Sequence, residues 1–221
     1  MCSSDLNQHF VDGSSKIAFK AENPTSATLT YTDLTDGMRR FADETFALQI
    51  KIDDETKDVL ITPSVASKNA GVFSTNLLIA PTRKVVSIDA PIFDGLRLTG
   101  DMKTNLWVNQ SGYWDYPLLA FNGEDRGSIG IWAQDPTYAY KSLFYLADGN
   151  GIATSFCTIV NPPFAKITKA TSVTWRVQSF DKSWAQVAAR YRDWRAKTIK
   201  TAPRPSWVSE ISFAKIGRAH V

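Results

Sequence analysis

The sequence predicts a mainly β protein: a large antiparallel β-sandwich, of the kind called a supersandwich, followed by one C-terminal amphipathic α-helix. From Lys16 to Phe180, apolar residues recur at every second position or form short runs that turn residues interrupt, which is typical of strands. No helical pattern separates these runs, so successive strands are expected to connect by short turns and to pair antiparallel. After Phe180 the apolar period changes to about 3.6 residues, which indicates a helix.

The first half of the chain contains six predicted strands. A loop with Pro24 separates the first two, and a charged turn over Asp53–Lys57 separates the third from the fourth. Pro81 and Pro91 mark strand ends or edges, because proline cannot donate to a sheet ladder. In order, the segments are KIAFKA, ATLTYTDL, TFALQIKI, DVLITPSV, VFSTNLLIAP and KVVSIDAPIF.

Two hairpins and a last strand complete the predicted sandwich. YPLLAF and SIGIWAQ flank the turn NGEDRG, and KSLFYL and GIATSFCTIV flank ADGN. Both turns are rich in residues that tolerate positive φ. NPPFAK is a predicted loop and SVTWRVQSF the last strand. Because this many strands exceed an immunoglobulin-type module, we expect one large sandwich domain over residues 7–180.

The helix is predicted within residues 181–202. Ser183 and Gln186 fit a capping box at its start, and Pro203 limits its end. One stripe of this helix is apolar and aromatic, and we expect it to pack on a sheet or on a following domain rather than bind a ligand. The stripe consists of Trp184, Val187, Ala188, Tyr191 and Trp194.

The two ends of the chain are expected to be foreign to the fold. Met1–Leu6 and Ile216–Val221 can be back-translated as the two strands of one oligonucleotide, a sequencing adapter translated in frame. We therefore leave both hexapeptides out of the fold prediction. The native part is then expected to run from about residue 7 to residue 215 of this fragment.

Few side chains remain for nucleophilic or metal chemistry. Without the two ends, Cys157 is the one cysteine and His9 the one histidine. A zinc site of cysteine and histidine needs more of these residues, and a cysteine–histidine pair or a serine–histidine–aspartate triad would have to use His9 at the edge of the native part, so no catalytic residue, metal site or cofactor is predicted. Cys157 is expected to be a buried small residue, and His9 to lie in a frayed end.

The charge of the chain does not favour a nucleic-acid partner. The net charge is +3, and lysines and arginines are spread along the sequence. The chain has no apolar run long enough for a membrane helix. Acidic clusters at Asp53–Glu55 and Glu124–Asp125 fall in predicted hairpin turns, where adjacent acids are normally solvated rather than catalytic.

Aromatic residues are concentrated between Trp107 and Tyr140. Flat rings with polar tips suit the faces of sugars, which present C–H groups to stack and hydroxyls to bond. The segment SGYWDYP is typical of a loop. Tyr113 and Trp114 are therefore predicted to be exposed and to contact carbohydrate, while other rings in the region are expected to pack in the core.

Three segments of the chain resemble a known arrangement: SIDAPIFDGLRL, then YWDYPLLAFNGEDRGSIGIWAQDPTYAYKSLFY, then SWAQVAARYRDW with PRPSWVSEI. Together they are similar to the N-terminal β-supersandwich region of glycoside hydrolases related to the endo-α-N-acetylgalactosaminidase and α-galactosidase type. The resemblance covers most of Val85–Ile211. It implies a sandwich similar to galactose-mutarotase folds, then a Tyr-x-x-Trp helix, then the first strand of a (β/α)8 barrel.

That resemblance implies a non-catalytic role for this part of such an enzyme. The family's catalytic carboxylates lie on the barrel, of which residues 203–215 would be the start. The sandwich would pack against the barrel, and Asp135 and Lys141 carry over as residues of the cleft lip or of the contact between domains. Gln134 stands where the family has a histidine and is not carried over.

Two other functions stay open on the sequence alone. One is a stand-alone carbohydrate-binding module that uses Tyr113 and Trp114. The other is a structural sandwich with no sugar contact. A mutarotase is disfavoured, because the histidine acid and base that such an enzyme uses are not available with His9 alone.

Overall fold

The computed structural model of the protein describes residues 8–79, 85–93, 95–99, 105–110, 113–123, 127–147, 152–160, 163–181, 183–200, 202–203 and 205–207. Its strands are β1 (Lys16–Asn23), β2 (Ser26–Thr32), β3 (Leu34–Thr35), β4 (Arg40–Phe41), β5 (Glu44–Ile52), β6 (Val59–Ser67), β7 (Ser74–Ile79), β8 (Val85–Ala90), β9 (Leu96–Thr99), β10 (Asn105–Asn109), β11 (Leu118–Gly123), β12 (Ser128–Gln134), β13 (Lys141–Ala147), β14 (Ile152–Ile159), β15 (Lys169–Thr171) and β16 (Thr174–Phe180). A single-turn 3-10 helix covers Phe164–Lys166, and the α-helix α1 (Trp184–Thr198) follows the last strand.

The strands form two main sheets. Ten strands build the large sheet in the order β1-β2-β5-β6-β16-β12-β11-β8-β9, with β15 also beside β6. Four strands build the small sheet in the order β10-β13-β14-β7, and β3 and β4 form a separate ribbon. All pairings within the two main sheets are antiparallel. The predicted mainly β, antiparallel fold with a helix after the last strand is confirmed.

The two sheets pack face to face around an apolar core. Leu119 and Ile131, on β11 and β12, point from the large sheet toward the small one. Leu143 and Phe156 of the small sheet meet them from the other side, and all four are 2% exposed or less. Trp175 of β16 fills the centre with no exposed surface. Burial of these apolar side chains is the main term that holds the sheets together.

The helix forms a third layer on the outer face of the large sheet. Because side chains alternate along a strand, Leu118 and Ala120 of β11 point away from the sandwich core and toward α1. They and Trp132 form a second core with Val187 and Tyr191 of the helix. The predicted aromatic stripe thus packs on this protein's own sheet.

The helix starts at the predicted position with different capping bonds. Ser183 is the N-cap, and its hydroxyl accepts from the backbone amide of Ala185 at 3.2 Å. In a capping box Gln186 would return to the amide of Ser183, but its side chain accepts from the amide of Asp181 at 3.2 Å. Trp184 is half-exposed, so the buried stripe begins one turn later, at Val187.

Five short strands were not predicted. The two strands β3 and β4 have 2 residues each, β15 has 3, β9 has 4 and β10 has 5. Periodicity needs a longer window to indicate a strand. The predicted adapter-derived ends, Met1–Leu6 and Ile216–Val221, lie outside the described residues, as does most of the predicted barrel strand.

Candidate functional site

Exposed aromatic side chains gather at one end of the sandwich, which we call the aromatic end. Strands β8 and β12 finish at this end and β11 and β13 begin there, so the loops that carry these rings are neighbours. Each ring has between 43% and 58% of its surface exposed. The aromatic end consists of Phe93, Tyr113, Tyr116, Tyr138 and Tyr140.

Phe93 and Tyr113 form one half of the aromatic end. The amide of Phe93 donates to the carbonyl of Tyr113 at 3.1 Å, which joins their two loops. The ring centroids lie 4.7 Å apart at an interplanar angle of 40°, a favourable tilted contact. Tyr113 is thus exposed as predicted, and its sugar contact stays a prediction.

Trp114 does not belong to the exposed surface. It has no exposed area, its indole N–H points at the carbonyl of Leu118 at 3.4 Å, and its ring is parallel to that of Trp175 with centroids 6.5 Å apart. The prediction that Trp114 is exposed is therefore wrong. The amides of Tyr113 and Trp114 both donate to the carbonyl of Asn109, at 3.2 and 3.1 Å, so a turn holds Tyr113 outward while Trp114 lies in the core. A ring without exposed surface offers no face to a sugar.

Asp135 and Lys141 form a buried ion pair rather than part of a cleft lip. The Lys141 ammonium donates to the Asp135 carboxylate and to the carbonyl of Ala139. Lys141 is 0% and Asp135 6% exposed. Burial alone would raise the pKa of Asp135, but hydrogen bonds from Lys141 and Thr137 and the nearby ammonium outweigh it and hold the pKa below its ordinary value. The expectation of lip residues is corrected: this pair closes the loop between β12 and β13.

That loop presents the other half of the aromatic end. Asp135 also accepts from the amide and hydroxyl of Thr137, at 2.9 and 2.7 Å, which tightens the turn. Tyr138 then adopts a left-handed backbone with φ of 54°, and Phe93 across the aromatic end has φ of 49°. Such a conformation costs a bulky residue roughly 1–2 kcal/mol, so the fold fixes both rings in unfavourable local geometry. Strain of this kind clusters at active sites, ligand clamps and switch regions.

A groove beside the helix continues the aromatic end. Its volume is about 420 Å³, within the range of ligand and peptide sites. Arg195 lies at its rim, and the nearby Tyr138 hydroxyl raises the pKa of the guanidinium. Burial raises the pKa of Tyr191 on the groove floor. The groove lining is aromatic, aliphatic and cationic and contains no carboxylate: Tyr116, Leu118, Trp184, Ala185, Ala188, Ala189, Tyr191, Arg192 and Arg195.

The acidic turn between β5 and β6 is structural. Arg176 of β16 donates to Asp58 at 2.8 Å and to Asp53 at 2.7 Å, and its guanidinium lies 5.4 Å from the centroid of the Trp132 ring. Arg190 of α1 also donates to Asp58, at 3.0 Å. A backbone bond from Thr56, assisted by Arg176, keeps the pKa of Asp53 well below its usual range. The other predicted cluster, Glu124–Asp125, lies outside the described residues.

His9 and Cys157 are both placed differently from the prediction. His9 contacts Glu44 through Nδ1 and stacks on Phe41 with centroids 3.8 Å apart, so it is packed rather than frayed. Cys157 is partly buried on the outward face of β14, next in sequence to the inward-facing Phe156. In the described part of the chain, no group of three metal-ligating side chains occurs. No helix there is long and apolar enough to cross a bilayer.

Comparison with known proteins shows the fold. No protein-family model matches the sequence, and no curated protein matches it. The α-N-acetylgalactosaminidase NagBb from Bifidobacterium bifidum, in its complex with GalNAc, matches with a TM-score of 0.57 at 12% identity over 84% of this chain and 31% of that one. A quadruple mutant of the same enzyme matches with a TM-score of 0.55 at 13% identity over 82% and 30%. The chain spans less than a third of the length of these structures.

A galactose mutarotase related enzyme from Lactobacillus acidophilus also matches, with a TM-score of 0.44 at 7% identity over 76% of this chain and 72% of that one. The similarity to the glycoside hydrolase indicates that this sandwich architecture occurs within an enzyme that acts on sugars. At such low identity it carries over no residue role.

Sequence reasoning found part of the aromatic end. It included Tyr116, Tyr138 and Tyr140 in the aromatic concentration, but it missed Phe93 and Arg195. Phe93 lies between Pro91 and Gly95, a composition typical of a turn that holds a ring outward, and this signal was readable. Arg195 lies beside the site because α1 packs back along the large sheet, and this packing cannot be predicted from the local sequence pattern.

Proposed function

We propose that the chain is the non-catalytic β-sandwich domain of a glycoside hydrolase, joined by α1 to a catalytic (β/α)8 barrel that residues 203–215 begin. The aromatic end would be the surface on which that barrel packs. The observation that carries this proposal is the position of the aromatic end: it lies where α1 finishes. Trp194 near the end of α1 packs on Trp132 with centroids 5.5 Å apart, and Tyr191 of α1 contacts Tyr116 of the aromatic end with ring centroids 6.2 Å apart.

The carboxylates of the sandwich support a non-catalytic role. Hydrolysis of a glycoside needs two carboxyl groups that face each other across the sugar. The buried acids of the described residues are instead engaged in structure: Glu44 with His9, Asp58 with Arg176, and Asp135 with Lys141. For Asp135, burial alone would raise the pKa, but the hydrogen bonds from Lys141 and Thr137 hold it below its ordinary value, so this carboxyl is a poor proton donor at neutral pH.

The surface chemistry of the aromatic end supports a packed contact. Large exposed rings that adjoin one another mark interaction surfaces, because a lone soluble domain leaves such patches small. The groove beside α1 adds apolar wall and two arginines without an acid, so it suits an apolar surface edged with carboxylates. Because the chain spans 31% of the matched enzyme, a catalytic domain beyond the sandwich also fits the comparison.

The test is the coding sequence after Lys215 and its product. We expect the source gene to continue into a barrel with two facing carboxylates, and the longer protein to hydrolyse α-linked N-acetylgalactosaminides or galactosides while the 221-residue chain does not. In the longer protein, Tyr116→Ser combined with Tyr138→Ser should weaken the coupling between sandwich and barrel and separate their thermal transitions. Trp107→Ser, on an exposed ring of β10, is the matched control.

Two outcomes would sink the proposal. One is a natural stop codon shortly after Lys215. The other is hydrolysis by the 221-residue chain itself, since the acids of the sandwich are then not merely structural.

A second candidate function is a stand-alone carbohydrate-binding module. The exposed ring pair of Phe93 and Tyr113 favours it, because two adjacent rings form a platform wide enough for a sugar. The present chain should then bind an immobilised glycan, and Tyr113→Ala should reduce that binding at least about tenfold, while Trp107→Ala leaves it unchanged. The absence of binding on a broad glycan array would remove this candidate and leave the packing role.

A further inference from the structure

The first strand of the large sheet has an exposed edge with which no other strand of the described residues pairs. Strand β1 is the terminal strand of the sheet and pairs with β2 on one side. Each of its eight residues is exposed, and no described strand covers its other side. Two large apolar side chains stand on it, Ile17 with 62% and Phe19 with 67% exposure. A long edge of this kind is a template for another strand unless the sequence blocks it.

The two faces of β1 differ in character. One face of β1 carries its apolar side chains, Ile17, Phe19 and Ala21. Each of them lies in a row of apolar residues that crosses β2 and β5. The rows are Ile17–Tyr31–Phe46, Phe19–Leu29–Leu48 and Ala21–Ala27–Ile50. Lys16, Lys20 and Glu22 point to the other face, with Thr28 and Thr30 of β2 beside them. These apolar rows therefore continue to the edge strand, where their last residues are the exposed Ile17, Phe19 and Ala21 and not charged side chains.

The charges along β1 select one way for the strand to pair with itself. In an antiparallel pair centred on Phe19, the two Phe19 side chains lie opposite each other and Ile17 lies opposite Ala21 of the second copy. Lys16, which is 78% exposed and contacts Asp33 of its own chain at 2.7 Å, then lies near Glu22 of the second copy, at the point where the register of β1 with β2 shifts. The same pair repeats on the other side of the two-fold axis. Aromatic pairs and opposite-charge pairs are the cross-strand contacts that stabilise sheets.

The neighbouring registers are unfavourable. Centring on Ala18 brings Lys16 opposite Lys20 of the second copy, and centring on Lys20 brings the two Lys20 ammonium groups together. A shift by a single residue places apolar side chains opposite charged ones, since the side-chain period is two. Thr28 donates to Glu22 at 2.7 Å and lowers the pKa of its carboxyl, so Glu22 is ionised at neutral pH.

We propose that two copies of this chain associate through β1, in the antiparallel register centred on Phe19, so that their large sheets become one continuous sheet. The interface is the same patch on both copies, and it closes after two. Main-chain bonds along β1 supply affinity, and the two Lys16–Glu22 pairs with the central Phe19 pair supply the register. This association is independent of the proposed function.

A charge-swap experiment tests the proposal. Sedimentation equilibrium of the 221-residue chain over a wide concentration range at low salt should show a monomer–dimer equilibrium. Lys16→Glu and Glu22→Lys should each raise the dissociation constant at least about tenfold, because each creates like-charge pairs. The double variant Lys16→Glu/Glu22→Lys should return it to within about threefold of the wild type, since the opposite-charge pairs are re-formed in reverse order.

Phe19→Lys and a matched control complete the test. Phe19→Lys places two ammonium groups on the axis and should abolish the dimer. Because Phe19 is 67% exposed, the monomer should keep its far-UV circular dichroism spectrum. Leu78→Lys, on a side chain of 64% exposure at the edge of the small sheet, should leave the dimer intact. A wild type that stays monomeric, or that forms open-ended polymers, overturns the proposal, as does a double variant as weak as the single ones.

Discussion

The contact between Gly130 and Val187 should decide whether α1 can dock on the large sheet. A Cβ added at Gly130 would lie 2.4 Å from Cγ2 and 2.7 Å from Cγ1 of Val187, and Val187 has no exposed surface. Gly130→Ala therefore overpacks the layer and should destabilise the protein by about 2 kcal/mol. Val187→Ala removes two buried methyl groups and should cost about 2 kcal/mol through lost transfer energy and a cavity.

The double variant separates this contact from general damage. In Gly130→Ala/Val187→Ala the new methyl fills part of the space that valine leaves, so the total loss should stay near 2 kcal/mol instead of about 4 kcal/mol. Urea unfolding followed by tryptophan fluorescence should show each single variant shifted by about 1 M at an m-value near 2 kcal/mol per M. Gly13→Ala, where an added Cβ meets nothing within 4 Å, is the control. Wild-type stability of Gly130→Ala, or additive losses, would refute the docked position of the helix.

Three further substitutions test the buried ion pair of Asp135 and Lys141, the loss of stability at acid pH, and the buried position of Trp114. Lys141→Met leaves the Asp135 carboxylate buried without its partner and should cost about 3–5 kcal/mol in urea unfolding, whereas adding Asp135→Leu should recover much of the loss; no recovery would contradict the pair. A hydrogen bond from Arg40 lowers the pKa of Asp12 from 3.8 to about 2. Its stabilisation is complete above pH 3.8 and disappears as the pH falls toward 2, so Asp12→Asn should flatten the stability profile in that window, and an unchanged profile would count against the bond. Trp114→Ala should cost about 3–5 kcal/mol in urea unfolding, and a nearly neutral effect would speak against its burial.

The long strands and the helix could be predicted because their signals are local. Apolar residues recur at every second position in the sequences of β2 and β5, and the period changes to about 3.6 residues after Phe180. The sheet order could not be predicted in this way. Strand β16 lies between β6 and β12, although neither strand is next to it in the sequence. These pairings are long-range, so they can be known only from the folded structure.

Pro63 illustrates how a local rule yields to topology. It lies inside β6, although proline is normally confined to edge strands. Strand β16 pairs with Val59–Ile61 and β15 with Ser64–Ala66, so Pro63 falls in the gap where one neighbour replaces the other. Its carbonyl is used by the amide of Ser172 at 2.8 Å. The missing proline donor therefore costs no ladder bond.

The candidate site could be predicted only in part, because its side chains are also brought together by the fold. Composition identified an aromatic region, but whether a ring is a surface or a core group depends on single-residue alternation. Tyr113 and Trp114 are adjacent in one loop and have 57% and 0% exposure. Asp135 and Lys141 were selected by resemblance, and the fold shows that they shape the loop beneath Tyr138 instead of contacting solvent.

The two proposed surfaces do not compete for the same part of the molecule. Strand β16 lies four positions from β1 in the large sheet, and β12, which leads to the aromatic end, lies five positions from β1. At about 4.8 Å between strands, the β1 edge is some ~24 Å from β12. A second copy on that edge therefore extends the sheet sideways and leaves the aromatic end open for the barrel. Charge variants on β1 should change assembly without changing the coupling of the thermal transitions in the proposed longer protein. Variants of Tyr116 and Tyr138 should weaken that coupling and leave assembly unchanged.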